Sequence, residues 1–201
     1  MNIFADFSLF LTSVASLIFL VAFFIYNKDI LRGNTRPNIV TWSLFVLITL
    51  INSTSYISMT GDVVKSVLAF TDLFACVVIT FFILFKGYYS KLNIVERLVI
   101  AFSVASVFIW AILRSATFAN MLLQPGYMLA FVPTYLNVYK NPSTERALPW
   151  FLWTFSFILS VIVVALRWDG AWQDFVNPSI ALLLHFGVGL LALRSIAFKK
   201  R

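Results

Sequence analysis

The sequence predicts an all-α integral membrane protein of seven transmembrane helices, built as two parallel three-helix bundles joined by a linker helix. Three observations predict it. Of 201 residues, 61% are hydrophobic and only 11% charged, where an ordinary soluble domain carries about 25% charged residues. The apolar residues gather in seven runs, each close to the roughly 20 residues that a spanning helix needs. The chain also overlays on itself without a gap when it is slid by 108 residues, which carries Trp42 onto Trp150.

The first run, at about 8–26, follows "MNIFADFSLF". That stretch has no positive n-region, and no small-residue cleavage site follows the run, so it is expected to be a helix rather than a signal peptide. Runs at about 39–58 and 63–85 complete a first bundle within residues 1–90. A run at about 96–113 is left alone, as a linker helix within 91–115. Runs at about 116–139, 148–168 and 177–198 form a second bundle within 116–201. The loops that remain are too short for a soluble domain.

The cations fix the expected orientation. Lys28, Arg32, Arg36, Lys86, Lys91, Arg97, Lys140, Arg146, Arg194, Lys199, Lys200 and Arg201 all fall at one end of such a bundle. Only Lys65, Arg114 and Arg167 fall at the other, with Asp6, Asp62, Asp169 and Asp174 nearby. Cytoplasmic loops attract the Lys and Arg. The N-terminus is therefore expected outside and the C-terminus in the cytoplasm, in a plasma (inner) membrane. The net charge of +7 forms no continuous basic face, which argues against nucleic acid. Cys76, the only cysteine, excludes an internal disulfide and a Cys-cluster metal site, and its apolar setting suits a small buried side chain.

The self-overlay also brings together two loops. "FFIYNKDILRGNTRPNIVTWSLF" and "VPTYLNVYKNPSTERALPWFLW" each leave a helix, cross a basic loop containing proline, and resume at a tryptophan. Arg32 meets Lys140, Thr35 meets Ser143, Leu44 meets Leu152, and Lys86 meets Arg194. Parallel repeats of this kind put a substrate site near the midplane between the halves. Pro37 and Pro149 suit helix starts. Pro125 and Pro133 fall inside the fifth run, where each removes a backbone hydrogen bond. They are candidate hinges, or else static kinks that improve packing.

With Pro133-Thr134, Lys140, Ser143-Thr144-Glu145 and Trp150, the second loop resembles a PQ-loop. The 3+1+3 arrangement and the outside N-terminus are similar to the superfamily that includes the SWEET sugar transporters. "FVNPSIALLLHFGVGLLAL" also resembles the last SWEET helix. Three departures accompany the resemblance. Thr134 stands where the family has Gln, the first half has Ile25-Tyr26 where a proline is expected, and the order is Asn177-Pro178 rather than Pro-Asn. The resemblance implies a carrier that exposes one central pocket to each side in turn, with no cofactor, for a small metabolite such as a sugar, amino acid or amine.

Asp72 lies about nine residues into the third run, roughly 13 Å deep at helical rise. An acid there costs about 2.5–3.5 kcal/mol, so it should face a cavity or a partner. It is read as a substrate or proton site, or as a hydrogen-bonded acid locking helices together. His185, the only histidine, lies at similar depth in the seventh run. The pair could relay protons, since imidazole titrates near neutral pH. The alternative is a neutral imidazole donating to a backbone carbonyl. Asn177 is either a pocket ligand or a helix N-cap followed by Pro178 at N1. Asn52 and its repeat mate Ser160 are candidate pocket residues, as are Asn120 and Gln124 with their mates Thr12 and Ser16. The spacing of four puts each of the last two pairs on one helix face; interhelical hydrogen bonds would use the same faces. Trp42, Trp150, Trp168, Trp172 and Trp110 are expected as interfacial anchors. Gly187 and Gly189 are expected to permit close helix contact.

Nothing in the sequence supplies a catalytic triad, a working carboxylate pair, a phosphate loop or a metal cluster, and an enzyme is not expected. The reading is a multi-pass transporter of a small polar solute working by alternating access, with proton coupling an option. The alternative is a non-transporting membrane protein that binds a partner or small ligand. The lipid bilayer and the solute are the expected partners; one chain can complete a pathway, and a homo-oligomer is allowed.

Overall fold

The structure, a computed structural model, describes residues 3–35, 37–86 and 91–198. The cations Arg36, Lys199, Lys200 and Arg201 lie outside the described residues. Seven helices account for most of them: α1 (Ile3–Leu31), α2 (Ile39–Thr60), α3 (Val63–Lys86), α4 (Ile94–Leu113), α5 (Ala116–Lys140), α6 (Ala147–Leu166) and α7 (Val176–Phe198). Short 3-10 turns at Pro142–Thr144 and Trp172–Phe175 precede α6 and α7.

Local chemistry sets the helix ends. Asn38 caps α2, its side chain accepting from the Val40 N–H at 2.9 Å. Asn93 and Glu96 satisfy each other's backbone N–H groups at the start of α4, a reciprocal cap. Ser115 caps α5. Helix α2 stops at Gly61, whose φ of 62° is left-handed, and the absence of a Cβ makes that conformation inexpensive.

Six of the seven helices are long and apolar enough to cross a membrane. Their outward faces carry large apolar side chains, among them Phe10, Phe24, Phe85, Phe108 and Leu183. Water would not tolerate so continuous an apolar surface, and lipid is its natural solvent. The chain is an all-helical integral membrane protein.

The expectation of seven apolar spans needs correcting at one helix. Helix α5 is not among the six, because it carries Asn120, Gln124, Pro125, Gly126, Thr134 and Asn137. Its position explains the composition. It packs against α2, α4 and α7, and Asn120, Gln124 and Gly126 are buried there. A helix surrounded by other helices need not be apolar. Pro125 and Pro133 both lie inside this continuous helix.

Helix α1 packs against α3 and α6, and α3 lies against α2. Helix α7 packs against α5 and α6, and α4 against α5 and α2. At Gly187, on α7, any Cβ would collide with the Tyr135 hydroxyl of α5. That hydroxyl donates to the Leu184 carbonyl at 2.8 Å. Gly189 similarly faces the Phe151 ring of α6, which a Cβ would meet at 3.1 Å. Both glycines permit the close contacts expected of them.

A second correction concerns Trp42 and Trp150. Trp168 and Trp172 are exposed near helix ends and Trp110 is half-buried, but Trp42 and Trp150 are buried in the centre of the molecule. Their inward register decides this: Trp42 stacks near Tyr26 and Phe45, and Trp150 near Tyr26, Phe131 and Trp153.

Candidate functional site

A small cavity lies at the centre of the bundle. Phe19 of α1, Trp42, Phe45 and Thr49 of α2, and Asp72, Ala75, Cys76 and Ile79 of α3 form one side. Tyr127 and Phe131 of α5, Trp150 and Trp153 of α6, and His185 of α7 form the other. Every helix except α4 contributes. The cavity volume open to a water-sized sphere is about 20 Å³, room for one water molecule.

Asp72 and His185 both reach this wall. Asp72 accepts one hydrogen bond among the described residues, a long one from the Cys76 thiol at 3.5 Å, and it has no cationic partner there. Cys76 is buried, as expected, but it is also a donor. The Nδ1 of His185 lies 2.7 Å from the Ala181 carbonyl. A carbonyl only accepts, so Nδ1 carries the hydrogen and Nε2 is left as an acceptor. The imidazole packs against the rings of Phe131, Trp150, Trp153 and Phe157, with centroids 5.0–5.8 Å away. The Trp153 indole N–H is buried and has no hydrogen-bond partner among the described residues.

The remaining sequence-predicted residues do not line this cavity. Asn120 donates to Asn52 at 3.1 Å and to Ser55 at 2.9 Å. Gln124 donates to the Asn120 side chain at 3.1 Å, and Asn177 donates to Gln124 at 3.4 Å. These four amides form one buried lattice tying α2, α5 and α7 together. Helix α7 starts at Val176, one residue before Asn177. The N-cap reading of Asn177 is therefore corrected: the residue lies in the first turn, and its side chain is given to Gln124. Thr12 donates to the Val64 carbonyl at 3.2 Å, and Ser16 accepts from Thr71 at 3.2 Å, so both bind α1 to α3. Ser160 is buried on α6.

Polar contacts close both ends of the bundle. At the basic end, Tyr26 and Trp150 donate to opposite oxygens of Glu145, each at 3.1 Å. Arg146 reaches Asp29 at 2.8 Å. Glu145 is buried in the loop before α6. Burial pushes its carboxyl up from the ordinary 4.5 to about 8, against the two hydrogen bonds that favour the anion, and nearby Asp29 adds to the rise. A second void of about 40 Å³ lies here, lined by Glu145, Thr41, Pro133, Asn137 and both Trp42 and Trp150. The two tryptophans thus line both voids. Glu145 also borders a larger cleft of about 810 Å³ beside the Gly33-Asn34 turn and Arg146.

At the other end, Lys65 is buried between Asp174 at 2.7 Å and Asp169 at 3.3 Å. Arg167 reaches Asp62 at 2.6 Å and Ser8 at 3.1 Å. Burial alone would raise the Asp62 carboxyl, but the Arg167 hydrogen bond and the Lys65 and Val64 N–H groups hold it below its ordinary value. Tyr56 donates to the Asp174 carbonyl at 2.6 Å.

Sequence reasoning missed these two end closures and the aromatic wall. The acids and bases concerned are spread over more than a hundred positions, and only folding brings them together. The one available signal was the pairing of Trp42 with Trp150. Among the described residues, no group of three or more His, Cys, Asp or Glu could hold a metal ion. No family model, curated protein or solved structure matches the chain.

Proposed function

We propose that the protein is a membrane carrier of a small polar solute (a sugar, an amino acid or a small amine) that works by alternating access, in the manner of the PQ-loop and SWEET-like carriers it resembles. No enzymatic step is part of the proposal. The observation that carries it is the central cavity, walled by helices of both sequence halves and holding a carboxylate that has no cationic partner among the described residues.

The 3+1+3 arrangement is part of this proposal, and the helix contacts support it. The contacts α1·α3, α2·α3 and α1·α6 become α5·α7, α6·α7 and α5·α2 when α1, α2 and α3 are exchanged for α5, α6 and α7, and each is a close packing pair. The cavity wall obeys the same exchange. Phe19 and Tyr127, Trp42 and Trp150, and Phe45 and Trp153 all stand 108 residues apart, and all six line it. A crossing α5, with the N-terminus outside, belongs to the same proposal.

Both ends of the bundle carry inter-half contacts, and the cavity is the size of a water. That arrangement corresponds to an occluded state, with one end opening at a time. Asp72 and His185, which line the cavity from opposite sides, are available for proton coupling.

The test is reconstitution in liposomes with a screen of sugars, amino acids and small amines, with and without an imposed pH gradient. Uptake that saturates is expected for one class. If uptake occurs but Asp72→Asn changes neither its rate nor its pH dependence, the coupling idea fails. One observation favours a second reading, a non-transporting protein that binds a partner or small ligand: Asn120 with Asn52, and Gln124 with Asn177, are paired helix to helix. Absence of uptake for every class, with the protein folded in the liposome, decides for that reading.

A further inference from the structure

The cavity wall has an unusual balance of chemistry. Aromatic rings of Trp42, Phe45, Tyr127, Phe131, Trp150 and Trp153 surround it. One carboxylate, Asp72, lines it with the imidazole of His185, and no Lys or Arg lines it among the described residues. Aromatic faces are electrically negative and attract cations, more strongly where water is excluded. An unpaired carboxylate in a membrane interior also calls for a positive partner. Both features select the same sign of charge.

Other solute classes fit the wall less well. A sugar needs hydrogen-bond partners all around its rim, whereas the polar groups of this mostly aromatic wall are few: Asp72, the Tyr127 hydroxyl, the His185 Nε2 and a Thr49 hydroxyl whose hydrogen goes to the Phe45 carbonyl at 2.8 Å. A zwitterion needs a cation for its carboxylate, and the wall supplies none. A hard metal ion needs several oxygen ligands, and the wall offers a single carboxylate. An alkylammonium needs only one negative group and apolar or aromatic surroundings. The unpartnered Trp153 indole N–H adds one feature, a donor for an oxygen on the ligand.

We propose that the central cavity binds a small organic cation, an alkylammonium whose charge is met by Asp72 and the surrounding ring faces, and whose oxygen acceptor is met by the Trp153 N–H. The inference deepens the carrier reading and rests on it for the route by which the ligand arrives. Binding itself is measurable without transport. At its present volume of about 20 Å³ the cavity must widen to admit such a ligand, so binding should move the three tryptophans that line it.

The test uses the full chain purified in detergent and titrated with methylammonium, tetramethylammonium, choline and dimethylbutanol, the uncharged carbon isostere of choline. Tryptophan fluorescence and thermal shift report binding. Choline is expected to bind at least about tenfold more tightly than the isostere, a cation–π plus charge effect. It is also expected to bind more tightly than tetramethylammonium, through its hydroxyl. Asp72→Asn should weaken choline about tenfold and leave the isostere unchanged. Trp153→Phe keeps the ring face and should remove the advantage of choline over tetramethylammonium, which keeps the test open if Asp72→Asn does not fold. Equal binding of choline and its isostere, or no saturable binding of any of the three cations, overturns the inference. Cation binding without flux in liposomes would instead overturn the carrier reading and leave this site standing, and uptake of neutral solutes without cation binding would do the reverse.

Discussion

Glu145 sits where a charge is hardest to keep. Its carboxyl is buried, receives two hydrogen bonds, and lies near Asp29. Its value rises from 4.5 to about 8, so the folded protein holds a proton that the unfolded chain has already released. Its contribution to stability is therefore complete below pH 4.5 and lost as pH climbs to about 8. Glu145→Gln, which mimics the protonated form, should flatten the fall in thermal stability across that window; an unchanged pH profile would refute the assignment. Lys65 makes the opposite case. It is buried with a buried Asp174 at 2.7 Å, and truncating it leaves that acid without its partner. Lys65→Ala should cost about 3–5 kcal/mol, read as a loss of melting temperature that added salt does not reproduce, because a buried pair is poorly screened.

Helix α5 is the element whose composition and position explain one another. Its amides and its two prolines would be expensive against lipid, and contacts with α2, α4 and α7 remove that cost. One of these contacts is at Gly187, where the Tyr135 ring crosses to α7. Gly187→Ala should destabilise by about 1–3 kcal/mol through overpacking. Tyr135→Phe removes the hydroxyl nearest the new methyl, so it should recover part of that loss in the double variant. A simple sum of the two single effects would mean that they do not meet.

For the whole molecule, the carrier proposal makes the two end closures alternate gates. Cys76, the one cysteine, lines the cavity and can report their opening. In sealed vesicles, a membrane-impermeant maleimide supplied at the basic end should label Cys76 slowly in the native chain. Arg146→Ala, which removes the ion pair with Asp29, should speed that labelling several-fold by shifting a two-state population. Arg167→Ala should do the same only from the opposite end. Labelling that ignores the side of addition would show that these contacts do not gate the cavity.

The sequence alone determined that the chain lives in lipid, where its helices begin and end to within about five residues, and that Asp72 and His185 lie well inside apolar helices. Each of these follows from local quantities: run length, prolines suited to helix starts, and rise per residue. It misjudged α5 and the two central tryptophans, because apolarity and nearness to a helix end do not say which neighbours a side face meets. Tertiary structure alone decided that Trp42, Trp150 and Trp153 line one cavity with Asp72 and His185, and that the predicted amides bind one another instead. It also decided that Lys65, Arg146, Arg167 and Glu145 join segments about a hundred residues apart. Those outcomes depend on which helix faces pack together, and that is set by the summed fit of many side chains rather than by any local stretch.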